Sequence, residues 1–245
     1  MTVTASRLVA TMVVAGCCAA TSPACTRAID GTPMESSGGA SSPLTTTTTA
    51  PLRAPAGPVG ALLLAPTDFP HQYPATTLDP GAAGLALRDI RGVPDAATVA
   101  PTTCTPEPVP AVPQDAAVAV GTNESDNSTI TVAVLRVPQP LATYKTQLER
   151  CTSYTFTDPD QVTSTVTASQ AVAPPINADD SVAVNQTVSP SGAGNGTQTT
   201  LSLIAQIADI RIQATYMTFQ GTEPDAVLLD QAFTAAVLKV HDSFH

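Results

Sequence analysis

Five cysteines carry the most reactive side chains of this 245-residue sequence, and their positions divide them into two groups. Cys17, Cys18 and Cys25 lie near the N-terminus, just after an apolar run, whereas Cys104 and Cys151 lie far apart in the remainder of the chain. A cysteine thiolate acts as a nucleophile, forms disulfides and ligates metal ions. The two groups therefore predict two different kinds of chemistry.

The N-terminal group follows a secretory signal. Arg7 supplies positive charge, and residues 8–15 form an apolar run that suits a signal peptide but is too short to span a membrane. The run ends in Val14-Ala15-Gly16-Cys17, which resembles the bacterial lipobox. That resemblance implies attachment of diacylglycerol to Cys17 and cleavage just before it. The alternative is an ordinary secretory signal that is cut after Ala20 or Ala24.

Cys104 and Cys151 belong to the part of the chain that is expected to fold. Export exposes a protein to oxidising conditions, which favour a disulfide between these two cysteines. On the chain-entropy account the bridge would stabilise the fold by roughly 3–4 kcal/mol, because it closes a long loop. Two free thiols or a metal site are the alternatives. Cys18 and Cys25 could form a second bridge, and their pairing stays open.

Two pairs of carboxylates are the next candidates for chemistry. Asp158 and Asp160, and likewise Asp179 and Asp180, could perform acid–base work or hold calcium if they faced each other across a site. Both pairs lie beside predicted turns, where aspartate is a common residue for conformational reasons. Solvated turns are therefore the favoured interpretation.

The remaining catalytic patterns are missing from the sequence. A Gly-x-Ser-x-Gly elbow is absent, and the glycine-rich residues 192–196 are not followed by a helical pattern that would make them a phosphate loop. The three histidines show no ligand spacing; they are His71, His241 and His245. The sequence therefore predicts a non-enzymatic protein with no cofactor and no metal site.

Charge narrows the class of partner. The chain has 10 Lys+Arg against 20 Asp+Glu, a net charge of -10. Nucleic-acid phosphates and polybasic membrane contacts both require a cationic surface, so neither is an expected partner. Contact with the lipid bilayer is expected through acylated Cys17 instead, which would place the protein on the extracytoplasmic face of the cell membrane.

The signal peptide, residues 1–16, is followed by a lipidated N-terminus and tether over residues 17–57. This region is rich in Thr, Ser and Pro and has no apolar periodicity. Such a segment cannot bury enough surface to offset its ordering entropy, which predicts a disordered tether. Its composition is also typical of O-glycosylated stalks, with an unmodified spacer as the alternative. The candidate glycosylation sites are Thr45, Thr46, Thr47, Thr48 and Thr49.

Residues 58–245 show the periodicities of an extracytoplasmic folded domain. Alternating Val-, Ile- and Thr-rich segments predict strands over 116–121, 129–137, 161–172, 181–188, 199–208 and 210–219. Apolar spacings of three and four predict helices over 141–151 and from a cap at Thr222 onward, besides a short one near 61–65. The proline-rich residues 101–113 are expected to form a loop. Hairpin-like connections favour an α+β fold, a mainly antiparallel sheet with helices packed on one face.

A family resemblance follows from these features. The lipobox and the Thr/Pro tether resemble those of secreted lipoproteins of mycobacteria and related actinobacteria. The domain has a second set of characteristic segments, which are Leu62-Leu63-Leu64, Asp68-Phe69-Pro70, the proline-flanked Cys104, Leu148-Glu149-Arg150-Cys151, Ile207-Ala208-Asp209-Ile210-Arg211-Ile212 and the helix with Phe233. In these segments the domain resembles the extracellular sensor domain of a mycobacterial receptor Ser/Thr kinase.

The resemblance implies a role for the domain. We expect a sensor-like or ligand-binding module at the cell surface that recognises an unidentified ligand or envelope component. The alternative is a carrier that holds a lipid or glycolipid in an apolar cavity.

The anchor gives the first testable prediction. Cys17→Ala removes the thiol that takes the lipid, so it should abolish acylation. Metabolic labelling with a fatty-acid analogue measures this, with the wild-type chain as the positive control. Continued labelling of the Cys17→Ala chain would refute the assignment.

Overall fold

The computed structural model describes residues 56–192, 196–219 and 222–244. Cys17, the threonines 45–49 and all but the last two residues of the predicted tether lie outside these ranges, so the predictions made for them remain predictions. His245 lies outside them as well.

Within the described residues, nine strands form one antiparallel sheet in the order β1-β3-β4-β9-β8-β7-β6-β5-β2. The strands are β1 (Ala75–Thr77), β2 (Thr98–Ala100), β3 (Ala116–Asn123), β4 (Ser128–Arg136), β5 (Ser153–Thr157), β6 (Thr163–Ala171), β7 (Asp180–Pro190), β8 (Gln198–Ile207) and β9 (Ile210–Phe219). The α-helices are α1 (Pro80–Arg91), α2 (Leu141–Arg150) and α3 (Ala226–Asp242). The predicted antiparallel sheet is confirmed.

Most neighbouring strands are also neighbours in sequence, as hairpin connections require. The exceptions are the two edges, where β1 pairs with β3 and β2 pairs with β5, and the centre, where β9 pairs with β4 and brings Ala214 opposite Val132. The chain leaves β4 through α2, builds the half of the sheet that runs from β5 back to β8, and closes the centre with β9. The core therefore depends on a pairing between strands that are distant in sequence.

The helices cover both faces of this sheet, which corrects the expectation that they pack on one face. Successive residues of a strand point to opposite faces. On β4, Val132 belongs to the cluster packed by α3, whereas Ala133 belongs to the cluster packed by α1. Helix α2 packs on Ile204 of β8. Residues that pair directly across neighbouring strands share a face, and Ile204 is linked in this way through Gln213 to Ala133. Thus α1 and α2 share one face, and α3 covers the other.

The α3 face forms the larger core. Leu229 and Phe233 of α3 are fully buried against central strand residues such as Ile212. The segment 59–73 completes this layer with two short 3-10 turns, and Leu62, Leu63 and Leu64 are buried in it.

The start of α3 differs from the prediction. The cap is Asp225, whose carboxylate accepts hydrogen bonds from the backbone N–H groups of Val227 and Leu228 at 2.9 and 3.1 Å. Thr222 therefore does not cap the helix. The helix begins three residues later than a cap at Thr222 implies, because the Asp225 carboxylate satisfies the first free N–H groups.

Helix α1 was not predicted, although its ends carry clear signals. Asp79 caps the helix, Pro80 occupies its first position, and Gly92 ends it in the left-handed conformation with φ 74°. These are the residue types that start and stop a helix. The helix buries Leu87 and Ile90 against the edge of β3 and β4.

A buried hydroxyl network fastens the segment 59–73 to the sheet. The Tyr73 hydroxyl lies 2.6 Å from Ser128 Oγ and 2.6 Å from the Tyr216 hydroxyl. Ser128 Oγ in turn donates to Asp126 at 2.6 Å. Burial raises the pKa of Tyr73 to about 12, so the phenol stays protonated at neutral pH. The network joins residues that are far apart in sequence.

Tyr73→Phe should lower the free energy of unfolding by about 1–2 kcal/mol, because it removes one hydroxyl from a buried network and leaves its partners short of a hydrogen bond. Urea denaturation followed by circular dichroism measures the change. Tyr154→Phe is the matched control, since the Tyr154 hydroxyl makes no hydrogen bond with any other described residue. Equal stability of both variants would contradict a structural role for the network.

Candidate ligand-binding site

A proline-rich strap, residues 105–113, crosses the sheet face that carries α1 and α2. Its start is tied to α2, because Gln147 donates to the Thr105 carbonyl at 2.8 Å. Its middle is tied to α1, because Arg91 donates to the Glu107 carbonyl at 3.2 Å. Val109 and Val112 pack on the apolar cluster beside α1. Proline restricts the backbone and removes N–H donors, which suits an extended crossing of this kind.

The disulfide between Cys104 and Cys151 fixes the beginning of the strap. The two Cα atoms are 5.5 Å apart, and both cysteines are buried. Cys104 directly precedes the strap, and Cys151 directly follows α2. The structure thus contains the bridge that the sequence predicted, and the metal-site alternative for these cysteines is set aside.

A cavity of about 140 Å³ lies between the strap, the two helices and the sheet. Its sheet wall is mainly apolar and consists of side chains such as Leu135, Val184 and Ile204. The strap contributes Pro106 to Pro110, and Leu87 and Leu148 come from the helices. A cavity of about 150 Å³ lined by apolar side chains holds a molecule of the size of benzene. This volume therefore suits a small ligand or one small group of a larger ligand.

Arg211 is the most deeply buried charge at this cavity. It lies on β9, and only 6% of its side chain is exposed. One guanidinium nitrogen donates to Glu107 of the strap at 3.1 Å, and the other donates to the Gln139 carbonyl at 3.3 Å. The Tyr144 ring lies 5.8 Å from the guanidinium carbon, within range of a cation–π interaction. Arg211 Nε is buried and has no hydrogen-bond partner among the described residues.

Arg91 forms a second cationic group in the lining. It binds the strap backbone at Glu107 and pairs with Asp95 at 2.9 Å on the solvent side. Its Nε is also buried without a partner among the described residues. A buried donor that lacks an acceptor is costly, more so when it carries charge. The Nε atoms have almost no accessible surface and do not themselves face the cavity, but both arginines belong to its lining and make the polar part of the wall cationic.

Two tyrosines complete the polar part of the lining. Tyr144 of α2 and Tyr154 of β5 both contribute to the cavity, and neither hydroxyl is hydrogen-bonded to another described residue. Burial raises the pKa of Tyr144 to about 12, and burial also raises the pKa of Tyr154. Both phenols therefore stay protonated at neutral pH and can donate a hydrogen bond.

Three of the four paired aspartates make structural contacts in the described chain, and Asp160 is exposed in the turn after β5. Asp158 closes the turn between β5 and β6 by accepting from the Val162 N–H at 2.9 Å. Asp179 accepts from the Ala208 N–H at 2.7 Å, and Asp180 pairs with Lys145 at 2.8 Å. This agrees with their interpretation as turn residues.

The histidines lie away from the cavity. His71 is exposed in a loop, and His241, near the end of α3, lies 3.0 Å from Asn177. Among the residues that the structure describes, no group of three or more His, Cys, Asp or Glu side chains is arranged to hold a metal ion.

No helix in the described ranges combines the length and the apolarity that a membrane span requires.

Sequence reasoning missed the polar residues of the cavity, namely Arg91, Glu107 and Arg211. One signal was available. Arg211 interrupts the apolar strand Ile210–Phe219, and a charge in a strand buried on both faces requires a partner. The identity of that partner, a glutamate about a hundred positions away in a proline-rich loop, is decided by the fold.

Comparison with known proteins adds a structural likeness. No protein-family profile matches the chain, and no curated protein sequence matches it. An uncharacterised protein of Mycobacterium smegmatis is similar at a TM-score of 0.43 and 14% identity, over 69% of this chain and 86% of that chain. The extracellular domain of PknH from Mycobacterium tuberculosis is similar at a TM-score of 0.41 and 15% identity, over 75% of this chain and 100% of that chain. At these values the likeness assigns no family, ligand or partner.

The role of the disulfide gives a testable prediction. Replacing both cysteines, Cys104→Ser with Cys151→Ser, should lower the free energy of unfolding by roughly 2–4 kcal/mol, because the bridge closes a long loop of the unfolded chain. It should also increase the mobility of the Val109 methyl groups, which pack on the cluster beside α1. Urea denaturation and methyl NMR relaxation test both effects, and Cys18→Ser with Cys25→Ser serves as the control. Unchanged methyl relaxation in the strap would show that the disulfide does not hold it.

Proposed function

We propose that this protein is a non-enzymatic, membrane-anchored surface lipoprotein whose domain binds a small ligand in the cavity under the strap. The observation that carries the proposal is the composition of the cavity. An apolar wall from the sheet faces a small set of polar side chains, among them Arg91, Arg211, Tyr144 and Tyr154. Ligand sites combine an apolar lining with a few convergent polar groups in this way.

The position of the cavity supports a binding role over a purely structural one. A core packs to high density and pairs its buried polar groups. Here the chain instead leaves about 140 Å³ open beside two arginines and two tyrosines. The Glu107 side chain is 33% exposed, so the strap side of the cavity borders solvent and gives a ligand a route of access.

The anchor and the tether complete the proposal. Acylated Cys17 would hold the protein on the extracytoplasmic face of the cell membrane, and residues 17–57 would separate the domain from the bilayer. The support for both comes from the lipobox and from the composition of the tether. A small-ligand site displayed in this manner suits a sensor-like function.

Lipid or glycolipid carriage is the weaker proposal. An acyl chain occupies far more space than a benzene-sized cavity provides. Carriage would therefore require the strap to move away from the sheet.

Filling the cavity tests the proposed function. Ala168 lines the cavity on β6, and Ala168→Leu would occupy part of its volume. Benzyl alcohol is a suitable neutral probe, and methyl NMR of the full chain with Cys17→Ala, which avoids acylation, reports its binding. We expect shifts at Leu135, Val184 and Ile204 that disappear in Ala168→Leu.

Ala171→Leu is the matched control. Ala171 lies on the same strand but is exposed on the opposite face, so this change should leave binding intact. The absence of any shift in the parent chain at millimolar probe would overturn the proposal.

A further inference from the structure

The neutral polar side chains of the cavity wall include both donors and acceptors. The hydroxyls of Tyr144 and Tyr154 have no hydrogen-bond partner among the described residues. The amide nitrogens of Gln147, Gln186 and Gln213 donate to other parts of the chain, which leaves their amide oxygens as acceptors. The charged members of the lining, rather than the neutral ones, therefore decide which kind of ligand the cavity suits.

The charge of the lining favours an anionic acceptor. Among the residues that line the cavity, Arg91 and Arg211 are the cations and Glu107 is the single carboxylate. Asp95 pairs with Arg91 but lies outside the lining and is 59% exposed, and exposed pairs contribute little. A cationic cavity wall in a chain of net charge -10 is a local feature that the bulk composition does not explain.

Glu107 shows where the anion would bind. Its carboxylate pairs with Arg211 at 3.1 Å, so the chain itself already places a carboxylate at this position. The two partners differ in burial, with 6% of the Arg211 side chain exposed against 33% of Glu107. Arg211 is therefore the fixed member of the pair, and the glutamate on the strap is the member that can be exchanged.

We propose that the cavity recognises a small organic acid, whose carboxylate replaces Glu107 at Arg211 and whose apolar body lies against Leu135, Val184 and Ile204. The inference rests on the proposed function and names its ligand class. A planar carboxylate matches the guanidinium donors, and the apolar wall matches a body of about benzene size. Exchange would free Glu107, so occupancy of the cavity would be transmitted to the strap.

The internal carboxylate competes with the ligand. Glu107 is held near Arg211 by the strap, and a tethered group has a high effective concentration. Glu107→Gln keeps a neutral acceptor at the same place but removes the competing charge. The variant should therefore bind the acid more tightly than the wild type does.

Benzoate and benzamide are the probes, because they have nearly the same shape and differ in charge. We use the full chain with Cys17→Ala at constant ionic strength and measure the dissociation constants by methyl NMR titration. We expect benzoate to bind about tenfold more tightly than benzamide, and the difference to widen in Glu107→Gln, because charge-assisted hydrogen bonds are the stronger ones. Arg211→Met should reduce benzoate binding to the level of benzamide.

Arg91→Met is the second variant, for use if Arg211→Met does not fold. The Arg91 side chain is 19% exposed, so its replacement disturbs the core less. This variant should weaken benzoate binding and leave benzamide unchanged. Benzenesulfonate tests whether the site is selective for carboxylates. If benzenesulfonate bound as tightly as benzoate, the assignment of the ligand as a carboxylic acid would be overturned.

The outcomes separate the two proposals. Equal binding of benzoate and benzamide in both the parent chain and Glu107→Gln would overturn the organic-acid inference and leave the cavity as a ligand site. Failure of benzyl alcohol, benzoate and benzamide alike would overturn the proposed function itself.

Discussion

The burial of both faces of the central strands is the constraint on which the rest of the structure depends. Strands β4, β9 and β8 carry apolar residues at successive positions, so each face must be covered by a different layer. Helix α3 and the segment 59–73 cover one face, and α1 and α2 cover the other. The central pairing of β9 with β4 satisfies this demand, because it places two apolar strands side by side where both layers can reach them.

The two faces are covered unequally, and the cavity follows from that difference. The 17-residue helix α3 lies along the centre of its face, whereas α1 and α2 are shorter and lie on either side of the opposite one. The strap closes the space between them without filling it. Proline keeps the strap extended, and the disulfide at Cys104 holds its start against the end of α2. The site is thus bounded by a rigid sheet on one side and by a segment with few backbone hydrogen bonds on the other.

A buried guanidinium gives this site its chemical character. Arg211 is stable on an otherwise apolar strand because the strap, the carbonyl of Gln139 and the ring of Tyr144 surround it. Breaking such an arrangement leaves an uncompensated charge, whereas exchanging one carboxylate for another preserves the pairing. For the proposed carboxylate ligand, this property means that ligand and strap compete for the same group. The acidic remainder of the chain disfavours nonspecific binding of anions elsewhere.

The sequence by itself determined the features that depend on neighbours along the chain. Alternation along β6, where Val166 is buried and Thr165 and Thr167 are exposed, identified that strand. The lipobox and the tether rest on purely local patterns as well, and they stay predictions. The apolar face of α2 and the Cys104–Cys151 pair were also predictable, since periodicity and oxidising conditions suffice for them. Helix α1 was not predicted because its alanine- and glycine-rich sequence gives only a weak apolar periodicity, although its capping residues are recognisable.

Only the tertiary structure decided that helices cover both faces of the sheet, that β9 pairs with β4, and that Glu107 contacts Arg211. Each of these depends on contacts between segments distant in sequence, and such contacts are selected by the packing of the whole domain rather than by any local pattern.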